Sequence, residues 1–314
     1  MATSIFQFRQ KDRRPWLRVI LQLRGSVVPT IAPRVLLCGT FAAVVSWLHA
    51  LKVPVAQPGW ANLIPSVVLG LLLVFRTNTA YERFWEGRKL WGGIVNTSRN
   101  LGRQIWVAID EPTPEVREQK ISALNLIAAF GIATKQHLRG ASVTEAVADL
   151  VEPNVLDNLR TTDHAPLDLS VRIAAFLEEQ RDRGNLNPYQ LASMHRLLDV
   201  LVDSLGGCER ILRTPMPFAY AIHLRQLLLI YCLILPFELV SKVGWWTGLL
   251  VAIISFTLFG IEEIGEEIEN PFGTDPNDLP LDAICNTVRQ NMQNLTTLNP
   301  REANARALVD NSFQ

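Results

Sequence analysis

Apolar positions gather in four long runs along the chain, and polar positions dominate between the second and the third. The runs are VLLCGTFAAVVSWLHAL (35–51), WANLIPSVVLGLLLVF (60–75), FAYAIHLRQLLLIYCLILPF (218–237) and GWWTGLLVAIISFTLFGI (244–261). A helix needs about 20 residues, each rising about 1.5 Å, to cross the roughly 30 Å hydrocarbon core of a bilayer. The four runs therefore predict two membrane hairpins of two helices each.

The polar stretch 76–217 also has helical periodicity. Apolar residues recur every three or four positions in DLSVRIAAFLEEQRDRG (168–184) and PYQLASMHRLLDVLVDSLGGCERIL (188–212). Four residues mark turns in this region: Pro153, Pro166, Gly184 and Pro188. Because no period-two alternation of useful length appears in the sequence, we predict an all-α fold with four transmembrane helices and a helical cytosolic region.

The distribution of basic residues predicts the orientation in the membrane. Seven precede the first run: Arg9, Lys11, Arg13, Arg14, Arg18, Arg24 and Arg34. Six more lie in 76–105, whereas the short loop 52–59 carries only Lys52. The positive-inside rule therefore places both termini and the middle region in the cytoplasm of a multi-pass cell-membrane protein. The expected division is a basic N-terminal segment 1–34, a first hairpin 35–75, a cytosolic region 76–217, a second hairpin 218–261 and a cytosolic tail 262–314.

Composition agrees with a membrane protein that has a large water-exposed portion. Hydrophobic residues make up 48% of the 314 residues and charged residues 19%, with a formal net charge of zero. The alternative is a soluble helical protein, because apolar runs of 10–15 residues can also be buried in protein. The four cysteines are far apart and predict packing residues, neither a disulfide framework nor a metal knuckle.

The second run carries an apolar stripe at helical spacing, formed by Val67, Leu71 and Phe75. In one copy this stripe is expected to face lipid or another helix of the same subunit. Several copies around a symmetry axis would instead stack three apolar rings, which can gate ions by dewetting.

Directly after the stripe the sequence turns polar, in FRTNTAYERFWEGRKLWGG (75–93). An arginine at bilayer depth is costly, so we expect Arg76 at the cytoplasmic interface or in a wet cavity. The aromatic residues are expected to hold this helix at the interface, with its charges facing water. Arg225 and Glu238, in and just after the third run, are likewise expected to be paired or to face a wet interior.

The segment FRTNTAYERFWEGRKLWGGIVNTSRNLGRQ (75–104) resembles the signature of the bestrophin family of ion channels, particularly its bacterial branch. The resemblance continues in LGGCERILRTPMPFAY (205–220), LPFEL (235–239) and EEIENPFGTDPNDLPLDAICNT (266–287). It implies a homopentamer of identical subunits around a central pore, embedded in the lipid bilayer and passing small monovalent ions. The resemblance places the apolar neck of the pore at Val67, Leu71 and Phe75. The side chains of Val67 and Leu71 are modest in size for such a neck. A second, cytosolic constriction is expected at Tyr189.

The resemblance also bears on calcium. Eukaryotic members of the family have a continuous acidic run after NPFG that clasps calcium, whereas this chain has TDPNDLP there. Asp275 and Asp278 are thus weak candidates for a metal, and we expect no cofactor, with calcium disfavoured. The alternative is a row of solvated glutamates followed by a turn.

No motif for enzymatic chemistry stands out. The histidines His137, His164, His195 and His223 have no metal-ligating partner at suitable sequence spacing, so surface or packing roles are expected. No nucleophile and base converge in the runs, and no nucleic-acid partner is expected. The prediction is a passive ion channel, anion-conducting by family and chloride-like. The alternatives are a monovalent cation channel of the same fold or a membrane scaffold that does not conduct.

Overall fold

A computed structural model describes residues 22, 25–57, 59 and 63–298. Most of the basic segment expected at 1–34 lies outside these residues. The described part contains ten α-helices: α1 (Val28–Ala50), α2 (Leu63–Ala108), α3 (Pro114–Leu138), α4 (Thr144–Val147), α5 (Pro153–Thr161), α6 (Ala165–Asp182), α7 (Pro188–Arg213), α8 (Phe218–Val243), α9 (Thr247–Glu267) and α10 (Leu281–Thr296). No strand occurs in these ranges, which confirms the all-α prediction.

The chain divides into two compact units. Unit 1 comprises the described residues up to Trp85 together with Thr214–Asp278, and unit 2 comprises Glu86–Arg213 together with the described residues from Leu279. Helix α2 belongs to both, because it continues without a break from the apolar run into the polar stretch.

Unit 1 is built from α1, the first part of α2, α8 and α9. Its core consists of apolar side chains from all four helices: Ile31, Cys38, Ala42, Leu69, Leu73, Leu224, Leu228, Cys232, Leu235, Val251 and Phe259. Three stretches are long and apolar enough to cross a membrane: Val28–Ala50, Ile64–Ala108 and Phe218–Glu267. The third contains both α8 and α9.

Small residues bring α1 and α9 into close contact. A Cβ atom at Gly39 would lie 3.1 Å from Cβ of Ala252, and one at Gly248 would lie 3.3 Å from Cβ of Ala43. Each helix thus presents a glycine and an alanine four residues apart, and the two pairs meet. This is the small-xxx-small pattern that lets membrane helices approach closely.

A tight turn joins α8 to α9. Gly244 has a φ of 55°, a left-handed conformation that glycine adopts without steric cost. Its carbonyl oxygen accepts hydrogen bonds from Thr247 Oγ1 at 2.7 Å and Ser46 Oγ at 3.3 Å. The chain therefore reverses within the single 3₁₀ turn Gly244–Trp246.

Unit 2 contains the rest of α2 and the helices α3 to α7 and α10. Helix α3 packs against α6 and α10, and α6 packs against α7. Pro153 and Pro188 begin α5 and α7, Pro166 lies in the first turn of α6, and Gly184 follows α6 with a φ of 78°. The turn positions and the two amphipathic helices predicted from the sequence are thus confirmed.

A buried lysine closes the C-terminal end of α2. Lys120 Nζ donates to the carbonyl oxygens of Trp106 at 2.8 Å and Ile109 at 2.9 Å, and to Glu111 Oε1 at 2.7 Å. Burial alone would raise the pKa of Glu111, but the hydrogen bond and charge of Lys120, with help from Arg117, hold that pKa below its ordinary value. The cation lies where the helix dipole is negative, so it stabilises this end of α2.

Candidate ion pathway and the residues that position it

The apolar stripe lies on the face of α2 that residues 25–57 and 63–298 of the same chain leave largely uncovered. The side chains of Val67, Leu71 and Phe75 are 50%, 54% and 63% exposed. Four residues on the opposite face of α2 are buried within unit 1: Leu69, Leu73, Arg76 and Ala80. Half or more of each of these side chains is therefore left uncovered by the described part of the chain, although Phe75 borders a cavity that Tyr220 of α8 also lines.

Arg76 fixes this orientation of α2. Its side chain is 1% exposed, and its guanidinium lies 3.3 Å from Glu269 Oε2 and donates to Met216 Sδ at 3.1 Å. The expectation of a wet cavity around Arg76, with its charge facing water, is therefore wrong, and its position at the cytoplasmic interface stays a prediction. A charge this deeply buried needs a partner, and Glu269 supplies the opposite charge.

Trp91 also departs from the expected interfacial position, because its ring is fully buried in unit 2. By contrast, Asn78 and Glu82 are exposed, as expected of polar residues on this helix. The polar segment of α2 is therefore partly a packing surface and partly a solvent-facing one.

Glu269 joins the stretches of sequence that carry the family resemblance. Its Oε1 accepts the backbone N–H of Met216 at 2.9 Å, and its carbonyl oxygen accepts Arg83 Nε at 3.1 Å. Arg83 also donates to the carbonyl oxygen of Thr214. Three stretches thus meet in unit 1: FRTNTAYERF (75–84), TPMP (214–217) and EIENPFG (267–273). Their contacts hold the helix that carries the stripe.

Arginines neutralise the acidic end of α9. Arg225 Nε donates to Glu262 Oε1 at 2.8 Å, and a second nitrogen of Arg225 donates to Glu266. Arg34 donates to Glu263 at 2.9 Å. Glu238 pairs with Lys242 at 3.1 Å. The prediction that Arg225 and Glu238 are paired is confirmed. Arg225 pairs with glutamates of α9, and Glu238 pairs with Lys242 of its own helix.

Tyr189 lies in the first turn of α7, and its side chain is 89% exposed. A reciprocal pair of hydrogen bonds forms the start of this helix. Asn187 Oδ1 accepts the N–H of Gln190 at 2.9 Å, and Gln190 Oε1 accepts the N–H of Asn187 at 3.3 Å. This capping box, with Pro188 as the first helical residue, holds the backbone of Tyr189 in place.

The two weak metal candidates take part in a turn. Asp278 Oδ2 accepts the backbone N–H of Asp275 at 2.7 Å, and the N–H of Asp278 donates to the carbonyl oxygen of Asp275 at 3.0 Å. Among the described residues, the groups of side chains close enough to share a metal ion are His137, His164 and Glu209, and Glu262, Glu263 and Glu266. Neither group includes Asp275 or Asp278.

The structure gives two of the histidines a partner that sequence spacing did not reveal. His137 and His164 both contact Glu209, although the three residues are distant in sequence. His195 contacts Glu178 at 3.0 Å, as part of an ordinary pair. The four cysteines are free and buried, as predicted for packing residues. Burial raises the pKa of Cys208 and of Cys285 to about 12, so both remain thiols.

Comparisons with known proteins agree with this picture. Residues 8–294 match the family described as Bacterial/Fungal Bestrophin protein. A voltage-dependent anion channel-forming protein of Nostoc sp. is 57% identical over 288 residues, which cover 92% of this chain and 94% of that protein. The voltage-dependent anion channel-forming protein YneE of Escherichia coli K12 is 31% identical over 308 residues, covering 97% and 98% of the two chains.

A solved structure has the same fold. The bacterial Bestrophin homolog from Klebsiella pneumoniae superposes with a TM-score of 0.77 at 29% identity, over 86% of this chain and all of that one. The resemblance that the sequence motifs indicated is confirmed. Together with the long apolar helices, these matches establish that the chain is a membrane protein and belongs to the bacterial and fungal bestrophin family.

Proposed function

We propose that the chain is one subunit of a homopentameric, passive anion channel of the cell membrane that conducts chloride and similar small monovalent anions. Membership of the bestrophin family and the channel-forming names of the relatives point to an ion channel and not to an enzyme. The observation that carries the proposal for this chain is the apolar stripe on the uncovered face of α2.

Five copies of the stripe around an axis would form three successive rings, of Val67, Leu71 and Phe75. A hydrated ion that passes such rings must shed part of its water shell, so the rings can control conduction by wetting and drying. Lipid is the other environment for this face. The pore is favoured over lipid because Asn78 and Glu82 continue the uncovered face as polar, exposed residues.

In the proposed topology α1, the first part of α2, α8 and α9 each cross the bilayer once. The apolar run 244–261, made of the turn Gly244–Trp246 and the first part of α9, has 18 residues, which at about 1.5 Å each reach about 27 Å, close to the roughly 30 Å required. Helix α2 has 46 residues, about 69 Å at the same rise, so its second half extends beyond the membrane. The excess of arginine and lysine on that side favours the cytoplasm for this half and for both termini.

Tyr189 is proposed as a second, cytosolic ring. Its exposed position in a firmly capped first turn supports this role, because a ring residue needs an uncovered side chain on a fixed backbone. The channel is proposed to work without calcium, since the carboxylate of Asp278 is engaged in closing the turn with Asp275.

Reversal potentials test the proposal directly. Purified full-length protein is reconstituted in planar bilayers between unequal sodium chloride solutions, with and without a calcium chelator. We expect channel currents that reverse near the chloride equilibrium potential and persist in the chelator. Reversal near the sodium potential would favour the cation channel, and absence of any current would favour the scaffold.

A further inference from the structure

Two imidazole rings and one carboxylate converge in unit 2, and none of the three residues is assigned to the proposed neck or to the proposed cytosolic ring. His137 lies in the last turn of α3, His164 directly precedes α6, and Glu209 lies in the last two turns of α7. Nε2 of His137 is 2.6 Å from Glu209 Oε1, and Nε2 of His164 is 2.9 Å from the same oxygen. The ring centroids are 4.5 Å apart. We call these three residues the His–His–Glu cluster.

The cluster is partly buried and adjoins a cavity. The side chains of its members are between 19% and 31% exposed. A cavity of about 330 Å³ borders His137, and Asp163 and Thr162 also line it. Such a space can hold a water molecule beside His137, the member of the cluster that lines it, since a single water needs only about 10–15 Å³ on the same measure.

We propose that the His–His–Glu cluster binds one divalent transition-metal ion of the zinc class per subunit. Imidazole nitrogen and carboxylate oxygen are ligands that zinc prefers, and three protein ligands with a water molecule complete a tetrahedral shell. His137 and His164 would each supply Nε2, Glu209 would supply one oxygen, and the cavity would supply the water.

The geometry is close to that of a metal site. At metal–ligand distances of about 2.0–2.2 Å, tetrahedral ligand atoms lie about 3.3 Å from one another. The three ligand atoms of the cluster already lie within 4.8 Å of one another. Because the two nitrogen–oxygen distances are 2.6 Å and 2.9 Å, they have to lengthen by about 0.7 Å and about 0.4 Å to reach this tetrahedral spacing.

Metal binding exchanges hydrogen bonds for coordination bonds. His164 Nδ1 accepts the backbone N–H of Leu167 at 3.3 Å, so its hydrogen lies on Nε2 and points to Glu209. A metal on Nε2 requires that hydrogen on Nδ1, which breaks this long bond at the start of α6. The ion in turn links α3, α6 and α7, and it stabilises unit 2 through its selective binding to the folded state.

The second group of possible ligands is a poorer site for a cation. Glu262, Glu263 and Glu266 are in contact with the guanidinium groups of Arg34 and Arg225. A divalent ion there would have to displace or repel two fixed positive charges. Among the described residues, the ion pairs of Glu209 are those with the two histidines, which can bind a metal while neutral.

Metal titration of the full-length protein tests this site without reference to conduction. Protein stripped with a chelator is titrated with Co²⁺, whose visible absorption reports four-coordinate binding, and zinc retained after dialysis is counted per chain. We expect one ion per chain. Since losing an outer-shell partner already costs about 10–100-fold in metal affinity, Glu209→Gln and His137→Gln are each expected to weaken binding by at least about tenfold.

His195→Gln is the matched control, because His195 is similarly exposed and contacts one carboxylate, Glu178, at 3.0 Å. We expect this variant to bind metal like the wild type. Equal loss in His195→Gln, or full binding by Glu209→Gln, would overturn the proposal.

A measurement on the unmodified protein covers the case in which a variant does not fold. Zinc is expected to protect His137 and His164, but not His195, from acylation by diethyl pyrocarbonate, as located by mass spectrometry. Zinc is also expected to raise the melting temperature. Identical acylation of all three histidines with and without zinc would show that the cluster is only a hydrogen-bonded contact.

Discussion

Arg76 follows the last residue of the apolar stripe and is buried against Glu269 and Met216. Consecutive residues on a helix point about 100° apart, so an inward Arg76 directs Phe75 away from the core of unit 1. The orientation of the proposed neck thus depends on a buried ion pair outside the neck itself. Such a pair is costly to break from one side, because the remaining charge stays buried.

Replacing Glu269 with Gln is therefore expected to destabilise the protein by about 3 kcal/mol, the lower part of the range for an uncompensated buried charge. Thermal unfolding in detergent measures the loss. The matched control is Asp157→Asn, which breaks an exposed pair with Arg160 at 3.1 Å and should cost less than about 1 kcal/mol. Equal losses in the two variants would contradict the role of the Arg76–Glu269 pair.

Asp282 gives a pH-dependent prediction. Hydrogen bonds from Lys135 at 2.7 Å and Arg139 at 3.1 Å hold its pKa below the ordinary value. Because the pKa of Asp282 is lower in the folded state than in the unfolded state, its ionised carboxylate stabilises the fold above about pH 4. This stabilisation is lost as the pH falls through the folded-state pKa. Asp282→Asn should therefore lower the melting temperature at pH 7, and the difference from the wild type should shrink below about pH 4.

The matched control for Asp282 is Asp182, whose side chain is 69% exposed against 68% for Asp282 and which contacts Arg181 at 2.9 Å. Because Asp182 contacts a sequence neighbour and does not connect two helices, Asp182→Asn should lower the melting temperature less. A difference between Asp282→Asn and wild type that stays constant with pH would refute the assignment.

At the scale of the elements, the approach of α1 to α9 determines the packing of unit 1. Gly39 and Ala43 on one helix face Gly248 and Ala252 on the other. Between membrane helices the hydrophobic effect contributes little, so close van der Waals contact at small residues provides much of the association. Larger side chains at these positions would force the helices apart.

Gly39→Val is accordingly expected to destabilise the fold by about 1–3 kcal/mol through overpacking. The comparison is Gly206→Val in α7, where an added Cβ meets no atom within 4 Å. That change should be close to neutral, because valine has a somewhat better helix propensity than glycine. Melting temperatures that fall equally in both variants would rule out close packing as the cause.

At the scale of the whole molecule, the proposed channel depends on an assembly of several chains. The described residues of one chain leave the apolar stripe of α2 largely uncovered, and in the proposed pentamer its repetition around an axis would turn the stripe into rings. Dewetting is sensitive to the width and the polarity of such rings, so smaller side chains should admit water more readily.

Alanine at Val67, Leu71 or Phe75 is therefore expected to raise the conductance or the open probability, with the largest effect for Phe75→Ala because the largest side chain is removed. Single-channel recordings provide the measurement. Leu36→Ala is the control, since Leu36 is an equally uncovered apolar residue on another membrane helix, α1. Unchanged currents in all three stripe variants would remove these residues from the pore.

The sequence was sufficient for the fold class and for most helix positions. The helices were predicted from local patterns: apolar runs of about 20 residues, amphipathic periodicity in α6 and α7, and prolines at helix starts. Such patterns can be recognised without knowledge of the tertiary structure. The capping box at Asn187 and Gln190 is a local feature of the same kind, because it depends on residues three apart, but it was recognised only in the structure. The burial of Arg76 could not be predicted from the sequence. The cost of inserting an arginine into a membrane favours a position in water, and the buried partner, Glu269, lies 193 positions away.

By itself, then, the sequence determined that this is a helical membrane protein with a long apolar-to-polar helix and a bestrophin signature, because hydrophobic length and periodicity act over short distances along the chain. Tertiary structure alone decided which face of α2 is uncovered, which charges are buried as pairs, and that His137, His164 and Glu209 meet. Those outcomes depend on contacts between residues far apart in sequence, and such contacts exist only once the helices have packed.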